Sequence, residues 1–249
     1  MWYLGSKNRI AKDIVPIIQS YITPERKGYL EPFVGGANII DKINCNNRIG
    51  CDIHKQLIAL LNKVKDSIDD IPDFISEEEY RKVKDNKEKY EDWYLGLVGF
   101  CASFGAKYWG GYARSKSDKY DGIKSEMAIR NLKKQAQSLK GINFINCDFR
   151  DIPKDKIKGY VIYCDIPYKN ATKYKTDKFP YEEFYQWANE MAKDNIVLIS
   201  EYNMPEIFKC IWQKEINVSF CSTRKENDKK DKRIEKLFLC NAENGYIYE

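Results

Sequence analysis

The sequence predicts an α/β protein: a largely parallel sheet with helices on both faces, interrupted by an inserted and mainly helical subdomain. Three observations carry this. Residues 28–68 alternate strand-like and helix-like patterns, the same alternation returns over 142–200, and the intervening 66–140 are polar, charged and turn-rich with no further β-α-β unit. The catalytic layer is therefore expected to comprise 1–65 and 141–249, with 66–140 as a separate subdomain.

In chain order, residues 7–22 place Ile10, Ile14, Ile17, Ile18 and Tyr21 on one helical stripe, with Pro16 either kinking the helix or lying near its start. "GYLEPF" (28–33) reads as a short buried strand, stopped by Pro32 and the pair Gly35-Gly36. "ANIIDKI" (37–43) reads as a helix, "RIGCDI" (48–53) as a second strand and "HKQLIALLNKVKDSI" (54–68) as a strongly periodic helix. After the insertion come strands at 142–149 and 159–168, a helix at 181–194 and a strand at 195–200. "FKCIWQKEI" and "EKLFLCN" supply two strands near the end.

The chain has 249 residues, 43% hydrophobic and 32% charged, which suits a water-soluble domain with a sizeable core. No apolar run approaches the roughly 20 residues of a membrane span, and "MWYLGSKNRIAKDIV" lacks a signal-peptide core. A cytoplasmic protein with no membrane partner is expected. The eight cysteines show no C-x-x-C pair and His54 is the sole histidine, so no Cys/His metal site is expected and the thiols read as free and buried. A net charge of +5 permits a nucleic-acid partner without requiring one.

Chemistry gathers where strands end. "YLEPFVGGANII" leaves a strand through two glycines, which allow a sharp turn and close approach to the main chain. Asp52 closes the next strand, 21 positions beyond Glu31, where a carboxylate can accept hydrogen bonds from ribose hydroxyls. An ordinary loop would also explain the glycines, and a helix N-cap would explain Asp52; in a β-α-β setting a nucleoside cofactor is favoured. Asp148 ends a third strand, followed by Phe149, and Asp165 ends a fourth in "VIYCDIPYK". A turn would account for each acid separately. Repetition at the carboxyl edge of an α/β sheet, where ligands bind, favours a site.

The order "YLGSK" (3–7), "EPFVGGAN" (31–38), "CDI" (51–53), "NCDF" (146–149) and "DIPY" (165–168) resembles the Dam-like, or D12-class, adenine-specific DNA methyltransferases. The resemblance implies a Rossmann-like sheet, S-adenosylmethionine as cofactor, and a target-recognition subdomain where the insertion lies. It implies cofactor contacts from Tyr3, Lys7, Glu31, Phe33, Gly35, Gly36, Asp52, Ile53, Asp148, Phe149 and Asp165: Tyr3 and Lys7 to the methionine portion, Asp52 to the ribose, Asp148 and Phe149 to the adenine. Asp165, Ile166, Pro167 and Tyr168 match the catalytic tetrapeptide, usually Asp-Pro-Pro-Tyr. No metal is implied, since a sulfonium already activates its methyl group.

Those residue types suit the reaction. An exocyclic adenine amine is a poor nucleophile because its lone pair is delocalised. Two acceptors for its hydrogens, the Asp165 carboxylate and the carbonyl of residue 166, favour a pyramidal nitrogen. Tyr168 would stack on a base flipped out of the duplex. Ile166 departs from the family pattern but keeps the required carbonyl, and Pro167 still biases it toward an extended backbone; it loses a fixed φ and gains an N–H.

The expected partner is double-stranded DNA. "FCASFGAKYWGGYARSKSDKY" (100–120) interleaves aromatics with bases, giving Lys107, Tyr108, Trp109, Tyr112, Arg114 and Lys116 as candidate contacts; Arg224 and Lys225 lie in a second basic stretch. A solvated surface over a minor aromatic core is the plainer explanation. A monomer is expected, although the sequence does not fix the oligomeric state. Two alternatives stay open: methylation of another planar amine (cytosine N4 or RNA adenine), and a catalytically weak DNA-binding relative marked by Ile166.

Overall fold

The computed structural model describes residues 1–115, 123–168, 179–218 and 231–240. Among the described residues, seven strands form one sheet: β1 (Gly28–Glu31), β2 (Arg48–Asp52), β3 (Ile142–Asn146), β4 (Tyr160–Asp165), β5 (Ile196–Glu201), β6 (Phe208–Val218) and β7 (Asp231–Cys240). Their order is β3-β2-β1-β4-β5-β7-β6. The first five run parallel, and β7 runs antiparallel to both β5 and β6. This is a Rossmann-like, doubly wound sheet with a reversed strand inserted beside β5. Winding goes one way from β1 through β2 to β3 and the other way from β4 to β5. The switch point therefore falls between β1 and β4, where α/β sheets leave a crevice at the strand ends.

Alternation along β4 explains the two-faced burial. Val161 and Tyr163 point into an apolar cluster with Ile14, Ile18, Leu57, Leu60 and Leu61, from α1 (Ala11–Ser20) and α2 (Lys55–Asp66). Ile162, Cys164 and Ile166 point into a second cluster with Phe184, Trp187 and Met191 of α6 (Tyr181–Ala192). Helices α3 (Glu77–Asp85), α4 (Asp92–Cys101) and α5 (Ile123–Leu139) come from the 66–140 stretch. Leu97, Val98, Ile129 and Leu132 join the first cluster. The α2–α4 approach requires Gly96, where a Cβ would fall 2.2 Å from the Gln56 carbonyl oxygen.

Three expectations change. The strand expected over 142–149 stops at Asn146, because Asp148 turns the chain by accepting from Arg150 N and caps a 3-10 turn instead of closing the strand. Residues 7–22 are not one helix: a 3-10 turn over Lys7–Arg9, capped by the Ser6 side chain, precedes α1, and Pro16 sits inside α1. Residues 37–43 hold only a 3-10 turn, Ile40–Lys42, in place of the expected helix. Ala37 adopts φ 55°, which interrupts a right-handed helix. Its carbonyl accepts from Gln135 Nε2 of α5 at 2.9 Å, so a long-range partner takes the group that would otherwise begin the helical ladder. Ile39, Ile40 and Ile43 stay buried, which is why the apolar spacing looked helical.

Candidate active site at the strand ends

Glu31, Asp52 and Asp165 are the last residues of β1, β2 and β4. Asp165 lies beside the switch point, its side chain about a quarter exposed, with Oδ1 2.9 Å from the Lys7 ammonium. Burial raises the Asp165 pKa, and the Lys7 charge and hydrogen bond oppose that rise. Lys7 is itself buried, which disfavours its charge; Asp165 and then Glu235 more than offset this and hold the ammonium above the usual lysine value. Lys7 Nζ also donates to the Gly5 carbonyl (3.3 Å) and stands 4.2 Å from the centre of the Tyr168 ring. The 3–7 stretch and the tetrapeptide, with 158 positions separating Lys7 from Asp165, thus share one cationic centre.

Tyr168 is fixed at its far end by donating to Glu235 Oε2 of β7 at 2.6 Å, and its ring meets Tyr202 edge-on at 4.4 Å. The Ile166 side chain, only 2% exposed, fills the α6-side core, so the departure from a second proline is an apolar packing choice. The Pro167 carbonyl accepts from the Tyr181 hydroxyl at 2.7 Å, tying the tetrapeptide to the start of α6.

The glycine turn packs on Tyr3. Gly35 has φ 49°, and a Cβ there would lie 2.9 Å from the Tyr3 ring; at Gly36 it would lie 2.8 Å from the Tyr3 Cβ. The Tyr3 phenol pKa is raised by burial and by the charges of Asp52 and Asp165. Asp52 accepts from Gly35 N (Oδ2, 3.0 Å) and His54 N (Oδ1, 2.9 Å). Burial raises its pKa while these backbone bonds lower it. His54, not Asp52, caps α2, through Nδ1 and Leu57 N. Beside Asp52, Ile53 is 70% exposed. A buffered carboxylate next to an open aliphatic face is the chemistry a nucleoside requires, with hydroxyls for the acid and a flat ring for the side chain. The residues present fit an adenosyl group.

Glu31 is almost fully buried and accepts from the Tyr29 hydroxyl at 2.7 Å. Burial drives its pKa well above the carboxylate range against that hydrogen bond, and the Asp165 charge adds to the rise. Asp148 caps a 3-10 turn (Phe149–Asp151) and chelates Arg150 through Nε and Nη2, both at 2.8 Å. That pairing holds the Asp148 carboxyl below its usual range. Phe149 is buried against Phe33 (5.5 Å), Phe184 and Trp187.

The insertion divides its candidates. Tyr108 packs edge-on against His54 at 4.3 Å, Trp109 lies 5.2 Å from Tyr80, and the Tyr112 hydroxyl donates to the Ile75 carbonyl at 3.1 Å. Tyr108 ties the loop to the start of α2, and Trp109 and Tyr112 tie it to Tyr80 and Ile75. Lys107 and Arg114 are exposed, and Arg114 Nε bonds Glu77 at 2.9 Å. Phe104, at 62% exposure, is the open aromatic of this loop. Lys116, Arg224 and Lys225 lie outside the described residues. Among the described residues no acid, Cys or His group is arranged to hold a metal, and no helix is long and apolar enough to cross a membrane.

Residues 3–98 match one family model. It is described as D12 class N6 adenine-specific DNA methyltransferase. The matched stretch holds Tyr3, Lys7, the glycine turn and Asp52; the tetrapeptide lies beyond it. The curated proteins contain no match. Two similar solved structures are "Crystal structure of SMU.472, a putative methyltransferase complexed with SAH" and "Structure of a putative methyltransferase from Thermoplasma acidophilum". The first is 11% identical with TM-score 0.38, over 94% of this chain and 52% of that one. The second is 8% identical with TM-score 0.31, over 88% and 68%. This chain spans about half the length of the first.

Glu235, Tyr202 and Arg233 escape a motif-based reading of the D12 pattern. One signal was available: in "RIEKLFL" Glu235 alternates in phase with Leu237 and Leu239, a carboxylate on an inward-facing strand side.

Proposed function

We propose that the protein is an S-adenosylmethionine-dependent DNA methyltransferase acting on N6 of an adenine extruded from duplex DNA, with residues 66–140 contributing target recognition. The observation that carries this reading is the Asp165 carboxylate at the switch point, held by buried Lys7 and flanked by the Tyr168 ring. A carboxylate beside an aromatic face is what an amine on a planar base needs. The family match over residues 3–98 supports DNA adenine as the substrate.

When bound, the cofactor would supply an activated methyl group. Asp52 would accept from its ribose hydroxyls and Ile53 would cover its adenine. Asp148 and Phe149 would border its adenine end; Tyr3, Glu31, Phe33 and the Gly35-Gly36 turn would border its methionine end. Asp165, bound to Lys7 through Oδ1, offers Oδ2 to one hydrogen of the target amine, and the Ile166 carbonyl takes the other. Both acceptors stabilise the positive charge that develops on the amine nitrogen. Lys7 favours the ionised form of Asp165, opposing the rise that burial causes. Tyr168 receives the flipped base, and exposed Lys107, Arg114 and Phe104 face the nucleic acid, the cations on phosphates and the ring on a base.

Incubation with methyl-labelled cofactor and unmethylated duplex DNA, followed by digestion to nucleosides, should yield labelled N6-methyladenine, and Asp165→Ala should abolish it. Label in N4-methylcytosine, in RNA alone, or unchanged in Asp165→Ala would reject the reading.

A further inference from the structure

We propose that Glu235 of β7 is a positioning residue for the methyl-transfer site, fixing through the Tyr168 hydroxyl the ring that receives the target base. The inference rests on the function proposed above and extends it to a strand outside the tetrapeptide.

Stacking on a base requires only an aromatic face, and phenylalanine would provide one. The hydroxyl at position 168 therefore needs another reason. The structure gives it a buried carboxylate acceptor at 2.6 Å, the length of a charge-assisted O–H···O⁻ bond. Glu235 is 6% exposed, and a strand interior is a costly place for an acid unless partners hold it. Its partners are the Tyr168 hydroxyl and, electrostatically, Lys7.

The same face of β7 serves the neighbouring ring. Arg233, two residues before Glu235, donates from Nη1 to the Tyr202 hydroxyl at 3.2 Å, and Tyr202 meets Tyr168 edge-on. Residues two apart on a strand share a face. One strand thus orients both rings of the pair, and Lys7 stands over the Tyr168 face from the opposite element. Freed from Glu235, the Tyr168 ring keeps, among the contacts of the described residues, the Tyr202 edge and the Lys7 cation, neither of which fixes its rotation.

The test compares Glu235→Ala, Glu235→Gln, Tyr168→Phe and the Tyr168→Phe/Glu235→Ala double variant, each checked for an intact thermal transition. Steady-state methylation is measured alongside cofactor affinity by calorimetry. Glu235→Ala should lower kcat roughly 10- to 100-fold, with cofactor Kd unchanged. Glu235→Gln, which keeps an acceptor for the hydroxyl, should recover about tenfold of that loss. Tyr168→Phe should lower kcat similarly, and adding Glu235→Ala should cost under about threefold more, because both act through one bond. Equal kcat in Glu235→Ala and the wild type, multiplicative losses in the double variant, or a matching loss of cofactor affinity would overturn the inference. A wild type that transfers no methyl group to DNA would instead defeat the proposed function, and the inference with it.

Discussion

Asp165 and Asp148 present the same feature in sequence, an acid closing a strand, yet their surroundings are opposite. Asp165 is drawn into a buried charge cluster in which Lys7 is shared with Tyr168, and burial pushes its pKa up. Asp148 folds back on a neighbour two residues away, a half-exposed Arg150, and its pKa is pushed down. The difference shows that two acids at the same sheet edge take opposite electrostatics from their counter-charges. Under the proposed function, the acid held by the long-range buried lysine is the one that receives the substrate amine. An acid paired with a local arginine is held in place by its own turn.

The largest effect should follow Asp165→Asn, which keeps the shape and removes the charge. If Asp165 stabilises charge developing on the amine, kcat should fall about 10²- to 10³-fold with little change in cofactor affinity; a loss under tenfold would erase the contrast with Asp148. Lys7→Met should come next. It leaves a mostly buried carboxylate without its cation, so stability should fall by about 2 kcal/mol in denaturant titration. Its signature is the acid limb of the rate profile. Asp165 must be ionised to accept, and its pKa already lies above the ordinary carboxylate value, so the wild-type rate should fall on acidification through that raised value. Removing the lysine charge disfavours the ionised form further and should move the limb to higher pH. A limb that stays in place would show that Lys7 does not tune Asp165.

The same contrast explains what was legible in the sequence. Strands ending in Glu31, Asp52 and Asp165 were readable because apolar alternation stops abruptly at a charge, a local signal. The 37–43 segment misled because its isoleucines are buried as a helix would bury them, while Gln135, about a hundred residues away, takes the Ala37 carbonyl. For Tyr108, Trp109 and Tyr112 the sequence showed aromatic interleaving but not that the half-buried rings also pack on His54 and Tyr80, because those partners lie far away in the chain. Likewise the Lys7–Asp165 and Tyr168–Glu235 pairs join residues far apart in the chain, and no window of sequence contains them.

The smallest effect should come from Asp148, and it is the sharper test of the contrast. Its low pKa means that the folded state prefers the carboxylate. The Arg150 pairing therefore contributes stability above the ordinary carboxylate pKa and loses it as pH falls through the depressed folded value. Both partners reach solvent, so the contribution is small and should shrink further in salt. Asp148→Ala should thus leave the melting temperature nearly unchanged at neutral pH and leave kcat within about twofold of the wild type. If Asp148 also borders the cofactor adenine, Kd for the cofactor should rise about tenfold in the same variant, the cost of one hydrogen bond to a charged group. Arg150→Ala separates the two roles: it releases the carboxylate without removing it, so cofactor affinity should hold or improve. A kcat loss in Asp148→Ala as large as that of Asp165→Asn would show that the local ion pair, like the buried one, belongs to the reacting centre.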